Sequence, residues 1–347
     1  MDAPPPYPGG GGFMMPPPAY SETDPGYGQG QASAPAYGGG TEVMVVTGGW
    51  DGDRALETVE MFDPRTGQWS FLPNMMGECQ YDIFLTTSTE VILVPRRDHG
   101  AGVLGEFLYV VGGWNTEPYY SSVERFHLAS QTWSPGPGLS SARGWPGVAV
   151  LGDYLYCVGG YDGRDRAVST VERLHKWGDR WERVADMNKV RGGCGLVAYQ
   201  GRLYAIGGYD GRKKKKSVEM YDPAENRWRQ TAEMPYPRED LSHSCTVFKN
   251  TIVVAGGLGE GDQVLSSCLV FNPNTEGWAP LQSNLVKEKR GISLAVVGGV
   301  LWGAGGEDRN DQNLETVTVY DNMKEGWVPG PSMRGRRAGH AAAVFMR

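Results

Sequence analysis

One recurrence constrains this chain more than any other feature. Glycine pairs begin at Gly48, Gly112, Gly159, Gly207, Gly256 and Gly305, at spacings of 64, 47, 48, 49 and 49 residues. Fourteen or fifteen residues after each pair stands Phe62, Phe126, Leu174, Tyr221, Phe271 or Tyr320. Seven residues further on, without exception, comes Trp69, Trp133, Trp181, Trp228, Trp278 or Trp327. Six copies in fixed register describe an array, in which each unit buries its apolar surface only by stacking on the next.

Each unit reads as four strands. Strand A is short and built from small residues ("GAGVL", "GVAVL", "AAAVF"), strand B is the "LYVVGG" run, strand C is "SVEMYDP", and strand D is centred on the Trp. Pro- and Gly-bearing turns such as "DPRTGQ" and "NPNTEG" join C to D. Four strands in about 50 residues make a propeller blade rather than a helical repeat. Small residues in A place it against the crowded central axis, and the large aromatics of C and D belong between blades. The glycine pair ends strand B where the chain needs positive φ or a close backbone approach.

On these glycine pairs, aromatics and tryptophans, residues 42–347 resemble the kelch repeat. The resemblance implies an all-β, six-bladed β-propeller. Leu174 departs from it where an aromatic is usual, as do Leu269 and Thr318 where other units carry Glu60, Glu124, Glu172 and Glu219. Nothing before Glu42 reads as strand A, whereas "RRAGHAAAVFMR" at the C-terminus is a strand A with no B after it. The C-terminal strand is therefore expected to complete the first blade and close the ring, as kelch propellers do.

Residues 1–41 are dominated by Pro, Gly, Ala and Tyr and show no period. Such a segment buries too little apolar surface to offset its ordering entropy, so a disordered tail is expected. It contains "PPPY" (Pro4, Pro5, Tyr7) and "PPAY" (Pro17, Pro18, Tyr20), both of the P-P-x-Y form that WW domains grip. The net charge of −7 argues against a nucleic-acid partner, and no apolar run is long enough to span a bilayer. No secretory signal is read at the N-terminus, and the five cysteines form no C-x-x-C pair, so a reduced, cytoplasmic setting is expected, with the nucleus as an alternative. Residues 76–95 read as an insertion in the connection from blade 1 to blade 2.

Strand order assigns the faces. The B–C and D–A connections share one face, and the A–B and C–D turns the other. The first face carries the residues after the glycine pairs, Trp50, Trp114, Tyr161 and Tyr209, with Leu258 and Glu307 in the last two units. It also carries an arginine before each strand A: Arg97, Arg143, Arg191, Arg238, Arg290 and Arg337. Aromatics and arginines on loops held by a rigid ring suit protein recognition, although the arginines equally suit pairing with the strand-C glutamates inside the fold. In kelch-like substrate adaptors these positions meet a partner's acidic segment, which the resemblance implies here. The run Arg212–Lys216 reads as solvated loop charge, with an acidic contact or import signal as the alternative. His99, His243 and His340 read as structural hydrogen-bonders pointing around the ring; no metal, cofactor or catalytic constellation is expected.

The chain is thus expected to be a protein-interaction module and not an enzyme. The specific form is a substrate receptor linked to ubiquitination, though the BTB/BACK and F-box portions of known adaptors are absent from the sequence. An actin-associated scaffold is the second reading. A sugar- or metal-handling propeller is the enzymatic one.

Overall fold

A computed structural model describes residues 40–75, 95–115 and 119–347. They form six four-stranded antiparallel sheets. Blade 4 shows the pattern, with Gly195–Tyr199, Arg202–Ile206, Val218–Asp222 and Arg227–Thr231 paired in that order. The innermost strands are Ala341–Met346, Gly100–Leu104, Gly147–Leu151, Gly195–Tyr199, Cys245–Phe248 and Ser293–Val297, and each packs on the next around a closed ring. Small residues are obligatory there: a Cβ on Gly147 would lie 2.8 Å from the Leu196 Cβ of the next blade. The expected closure holds, because Ala341–Met346 pairs antiparallel with Glu42–Thr47, Ala341 opposite Thr47 and Met346 opposite Glu42.

The core lies between blades rather than inside them. Six apolar clusters each join two consecutive blades, for example Tyr204, Ile206 and Val218 with Ile252, Val254 and Phe271. The strand-C aromatic and strand-D Trp are cross-strand partners, as in Phe126 opposite Trp133 and Tyr221 opposite Trp228. Five of these indoles also reach the preceding blade through Nε1. Trp69 donates to the Pro331 carbonyl, Trp133 to Pro73, Trp181 to Pro137, Trp228 to Ala185 and Trp278 to Ala232, at 2.7–3.0 Å. The constant seven-residue spacing therefore encodes an inter-blade joint: a large apolar plate with one polar handle.

Candidate functional site

The connection from D to A carries, shortly before strand A, a basic residue that stitches two blades. The Arg143 carbonyl accepts from Gly113 N of blade 2, while its guanidinium donates to the Gly159 carbonyl (2.8 Å) and Glu172 Oε1 (3.0 Å) of blade 3. This also explains the glycines. Gly112 has φ +65°, and a Cβ there would lie 2.5 Å from the Arg143 carbonyl oxygen. Arg191 repeats the arrangement with Gly207, Ser217 and Glu219, Arg337 with Gly48, Thr58 and Glu60, and Arg96 with Gly112, Ser122 and Glu124. The far carboxylate oxygens of Glu60, Glu172 and Glu219 accept from the backbone at Arg334, Ser140 and Asn188, so each pair also fixes a connection.

Blade 5 changes one half of the pair and blade 6 changes both. Where Leu269 replaces the glutamate, Arg238 keeps the remaining contacts of the stitch, to the Gly256 carbonyl and to the carbonyl and hydroxyl of Ser267. Where Thr318 replaces it, the basic residue is Lys289, which donates to Thr316 Oγ1 at 3.0 Å. Burial and the nearby Lys287 push the Lys289 ammonium down to about 8.

These contacts correct four of the expected partner-binding residues. Arg143, Arg191, Arg238 and Arg337 are buried and spent inside the fold. Arg97 and Arg290 differ, because the stitching residues of their blades are Arg96 and Lys289, one position earlier. The paired bases in "RRDHG" and "EKRGI" concealed that offset.

The residue after each stitch forms a bridge with the residue after a glycine pair: Arg97 with Trp114, Gly144 with Tyr161, Gly192 with Tyr209, Glu239 with Leu258, Arg290 with Glu307 and Ala338 with Trp50. The next residue is left-handed in all six connections. Glycine occupies three, Gly193, Gly291 and Gly339, but Asp98 (φ 52°), Trp145 (φ 47°) and Asp240 (φ 60°) occupy the others. Aspartate tolerates that region; for tryptophan it is a strained conformation that its surroundings must hold. Their backbones meet at the channel throat, where Trp145 N donates to the Asp98 carbonyl and Gly193 N to Trp145.

Above this throat, connections from all six blades enclose a cavity of about 360 Å³. Its first three blades supply an aromatic wall of Trp50, Tyr119, Trp145 and Tyr161. Trp145 lies 5.8 Å from Tyr161, 6.1 Å from Tyr119 and 5.4 Å from Trp114 between ring centres. The charged lining is Asp98, Asp165, Glu239, Asp240 and Glu307 against Arg97 and Arg290. Five carboxylates facing two guanidiniums make the mouth net acidic. An acidic partner segment, the expectation drawn from the resemblance, does not match that charge.

Most of these groups are paired. Arg97 lies over Trp50 at 4.8 Å and Trp114 at 4.4 Å and donates from Nε to Asp98 Oδ2 at 2.8 Å. Trp114 Nε1 donates to the same oxygen. Arg290 pairs with Glu307 and Asp311, Glu239 with Lys214, and Asp165 accepts from the Tyr119 hydroxyl. Asp240 has no hydrogen bond or salt bridge from its carboxylate among the described residues. Burial, with Asp98, Glu239 and Glu307 outweighing Arg290, pushes that carboxyl up to about 7.

Of the four expected aromatics, Trp50 and Tyr161 line the cavity, Trp114 backs the wall, and Tyr209 lies outside it. Sequence reasoning missed Tyr119, Trp145, Asp98, Asp165, Glu239 and Asp240. A usable signal existed for three of them: Asp98, Trp145 and Asp240 stand where the other repeats have glycine. In the basic run Arg212–Lys216, Lys214, Lys215 and Lys216 form ion pairs with Glu239, Asp210 and Glu233 respectively, so this loop is not a free basic patch.

The histidines do not simply point apart. His99 and His243 approach to 6.3 Å between ring centres, and burial pushes His243 down to about 4 and His99 and His340 well below the ordinary range. His99 Nε2 bonds with Thr47 Oγ1, whereas neither ring nitrogen of His340 has a hydrogen-bond partner among the described residues. Among the described residues no group of three or more His, Cys, Asp or Glu has metal-holding geometry. The two P-P-x-Y motifs and all but Pro95 of the insertion lie outside the described residues.

Comparison with known proteins gives the family. Residues 145–346 match the KLHDC2/KLHL20/DRC7 Kelch-repeats domain, and residues 40–76 and 95–140 match the Kelch motif. The chain belongs to the kelch-repeat family. It is 30% identical over 236 residues to the spermatocyte protein spe-26 of Caenorhabditis elegans, covering 67% of this chain and 30% of that protein. It is 24% identical over 251 residues to the kelch repeat-containing protein kel-10 of the same organism, covering 72% and 33%. An F-box/kelch-repeat protein of Arabidopsis thaliana, At4g14905, is 34% identical over 106 residues, covering 29% of this chain and 23% of that one. The chain thus spans a third or less of the length of these relatives. As a kelch propeller it is a protein-interaction module.

Proposed function

We infer that this propeller recognises a partner protein at its channel mouth, on the face of the B–C and D–A connections. The observation that carries this reading is the break in repetition. Stitching residues, glycines and indoles recur blade after blade because the ring needs them, whereas the mouth residues differ from blade to blade. Half-buried Trp50, Trp145 and Tyr161, set in short connections over a rigid ring, lose little side-chain freedom on binding and suit anchor positions. Trp145 keeps a left-handed backbone that three sister positions give to glycine, and so sets an indole at the mouth against Trp114, Tyr119 and Tyr161.

The tail is the proposed second arm, its motifs at Pro4–Tyr7 and Pro17–Tyr20 offering two WW ligands 13 residues apart that gain from effective concentration. A WW-containing ubiquitin ligase met through the tail would make the chain a substrate receptor in the cytoplasm or nucleus. The F-box in the name of the Arabidopsis relative supports that variant over an actin scaffold or a sugar- or metal-handling enzyme.

The test is affinity capture with the intact chain, a chain lacking residues 1–41, a mouth variant (Trp145→Gly with Tyr161→Ala) and an opposite-face variant (Arg65→Ala with Glu225→Ala). A partner lost about 10- to 100-fold by the mouth variant and retained by the opposite-face variant is the expected result. The mouth variant should unfold as cooperatively as the wild type, since Gly193, Gly291 and Gly339 already occupy positions equivalent to Trp145. Loss with the C–D turn substitutions and retention with the mouth substitutions would place recognition on the other face.

A further inference from the structure

We propose that the mouth is a receptor for a basic side chain, arginine or lysine, presented by the partner segment. This rests on the recognition reading above and gives it a chemistry. Three observations converge. The cavity takes the indole of Trp145 and the ring of Tyr161 from its first three blades and Glu239, Asp240 and Glu307 from the connections of the last three. A cation placed between them meets aromatic faces and carboxylates together, the combination that binds ammonium and guanidinium groups most strongly when partly desolvated.

The molecule already contains such a contact. Arg97 lies between Trp50 and Trp114 with Nε on Asp98, so the same wall receives a guanidinium from within the chain. That internal cation leaves Trp145 and Tyr161 without one: no cation–π contact is made to either ring among the described residues.

The third observation is Asp240. The other four carboxylates each have a hydrogen-bonding or ion-pair partner, and Asp240 has none among the described residues. Around it stand Asp98, Glu239 and Glu307, with Arg290 as the nearby cation and Tyr161 on the aromatic side. Burial and the three carboxylates disfavour its charge, and Arg290 only partly offsets them. An arriving cation reverses the balance by supplying the counter-charge, so binding should take up the ionised form and strengthen as pH rises through about 7.

The experiment uses the full chain and four capped pentapeptides, acetyl-Ser-Ala-X-Ala-Ser-amide, with X as arginine, lysine, citrulline or glutamate. Binding is followed by the indole N–H signals of Trp145 and Trp114 in NMR titrations. Citrulline keeps the shape of arginine and removes its charge. The expected result is arginine or lysine binding at least ten-fold tighter than citrulline at pH 8, a ratio that shrinks towards unity at pH 5.5. Asp240→Asn, a residue at home at positive φ, should abolish the ratio while leaving the fold intact.

Equal affinity for arginine and citrulline overturns the proposal, as does a preference for glutamate, an undiminished ratio in Asp240→Asn, or no shift of Trp145 with any peptide at 5–10 mM, on the order of the weakest useful subsite affinity. The broader reading stands or falls separately. A captured partner that survives Asp240→Asn but is lost with Trp145→Gly and Tyr161→Ala would keep recognition at the mouth and remove its charge selectivity.

Discussion

Arg96 and Arg97 are adjacent in the chain, yet their side chains serve different regions of the molecule. Arg96 is fully buried, holds the Gly112 and Ser122 carbonyls and pairs with Glu124. Arg97 has 24% of its side chain exposed and lies between two indoles at the mouth. The same contrast separates Lys289 from Arg290. The layer of buried bases repeats because every blade must be locked to its predecessor by the same geometry. The layer one residue above faces the cavity, where no symmetry is imposed, and there the blades diverge into an aromatic side and an acidic side. In a repeat protein, then, recurrence marks what the ring requires, and departure from recurrence marks where the ring can be used.

The largest effect should come from removing Gly339–Arg347. That deletion strips blade 1 of Ala341–Met346 and leaves Glu42–Thr47 with an open edge, so the propeller as a whole should lose its cooperative transition by circular dichroism. An unchanged thermal midpoint would mean that the ring does not depend on its closing strand.

Next comes the contrast between layers. Arg191→Ala leaves Glu219 as an uncompensated buried charge and unpairs the Gly207 and Ser217 carbonyls, so urea unfolding should show a loss of about 3–5 kcal/mol. Arg97→Ala removes a half-solvated contact and should cost about 1 kcal/mol or less. If the two substitutions cost the same, the division into a structural and a functional layer is unfounded.

The smallest effect is a pH-dependent one at Asp240. Its carboxyl titrates near 7 in the folded chain, above the ordinary aspartate range of about 4. Stability associated with the neutral form is complete below the unfolded pKa and lost as pH rises through about 7. Asp240→Asn cannot ionise, so its melting temperature relative to wild type should be higher at pH 8.5 than at pH 5. A relative stability that falls with pH would show that Asp240 is favoured as the anion.

The sequence was most informative where chemistry recurs. The tryptophans were readable as inter-blade plates from their constant spacing, and the glycine pairs as sites of close approach, though not what approached them. The stitching arginines were visible as a ring, but recurrence could not say which way a guanidinium points. Nor could it choose between adjacent bases at Arg96 and Arg97. Tyr119 and Asp165 come from connections whose lengths and sequences differ, and Glu239 stands at a recurring position whose residue type changes from blade to blade.

What the sequence determined by itself is therefore the propeller: six blades, their strand order, and closure through the C-terminal strand. Local strand pattern and a fixed repeat leave few other ways to bury so many aromatics. What only the tertiary structure decided is the mouth. Its residues are far apart in the chain, and their charge balance, the left-handed backbone of Trp145 and an Asp240 carboxylate without a partner among the described residues arise only when six connections converge on one axis.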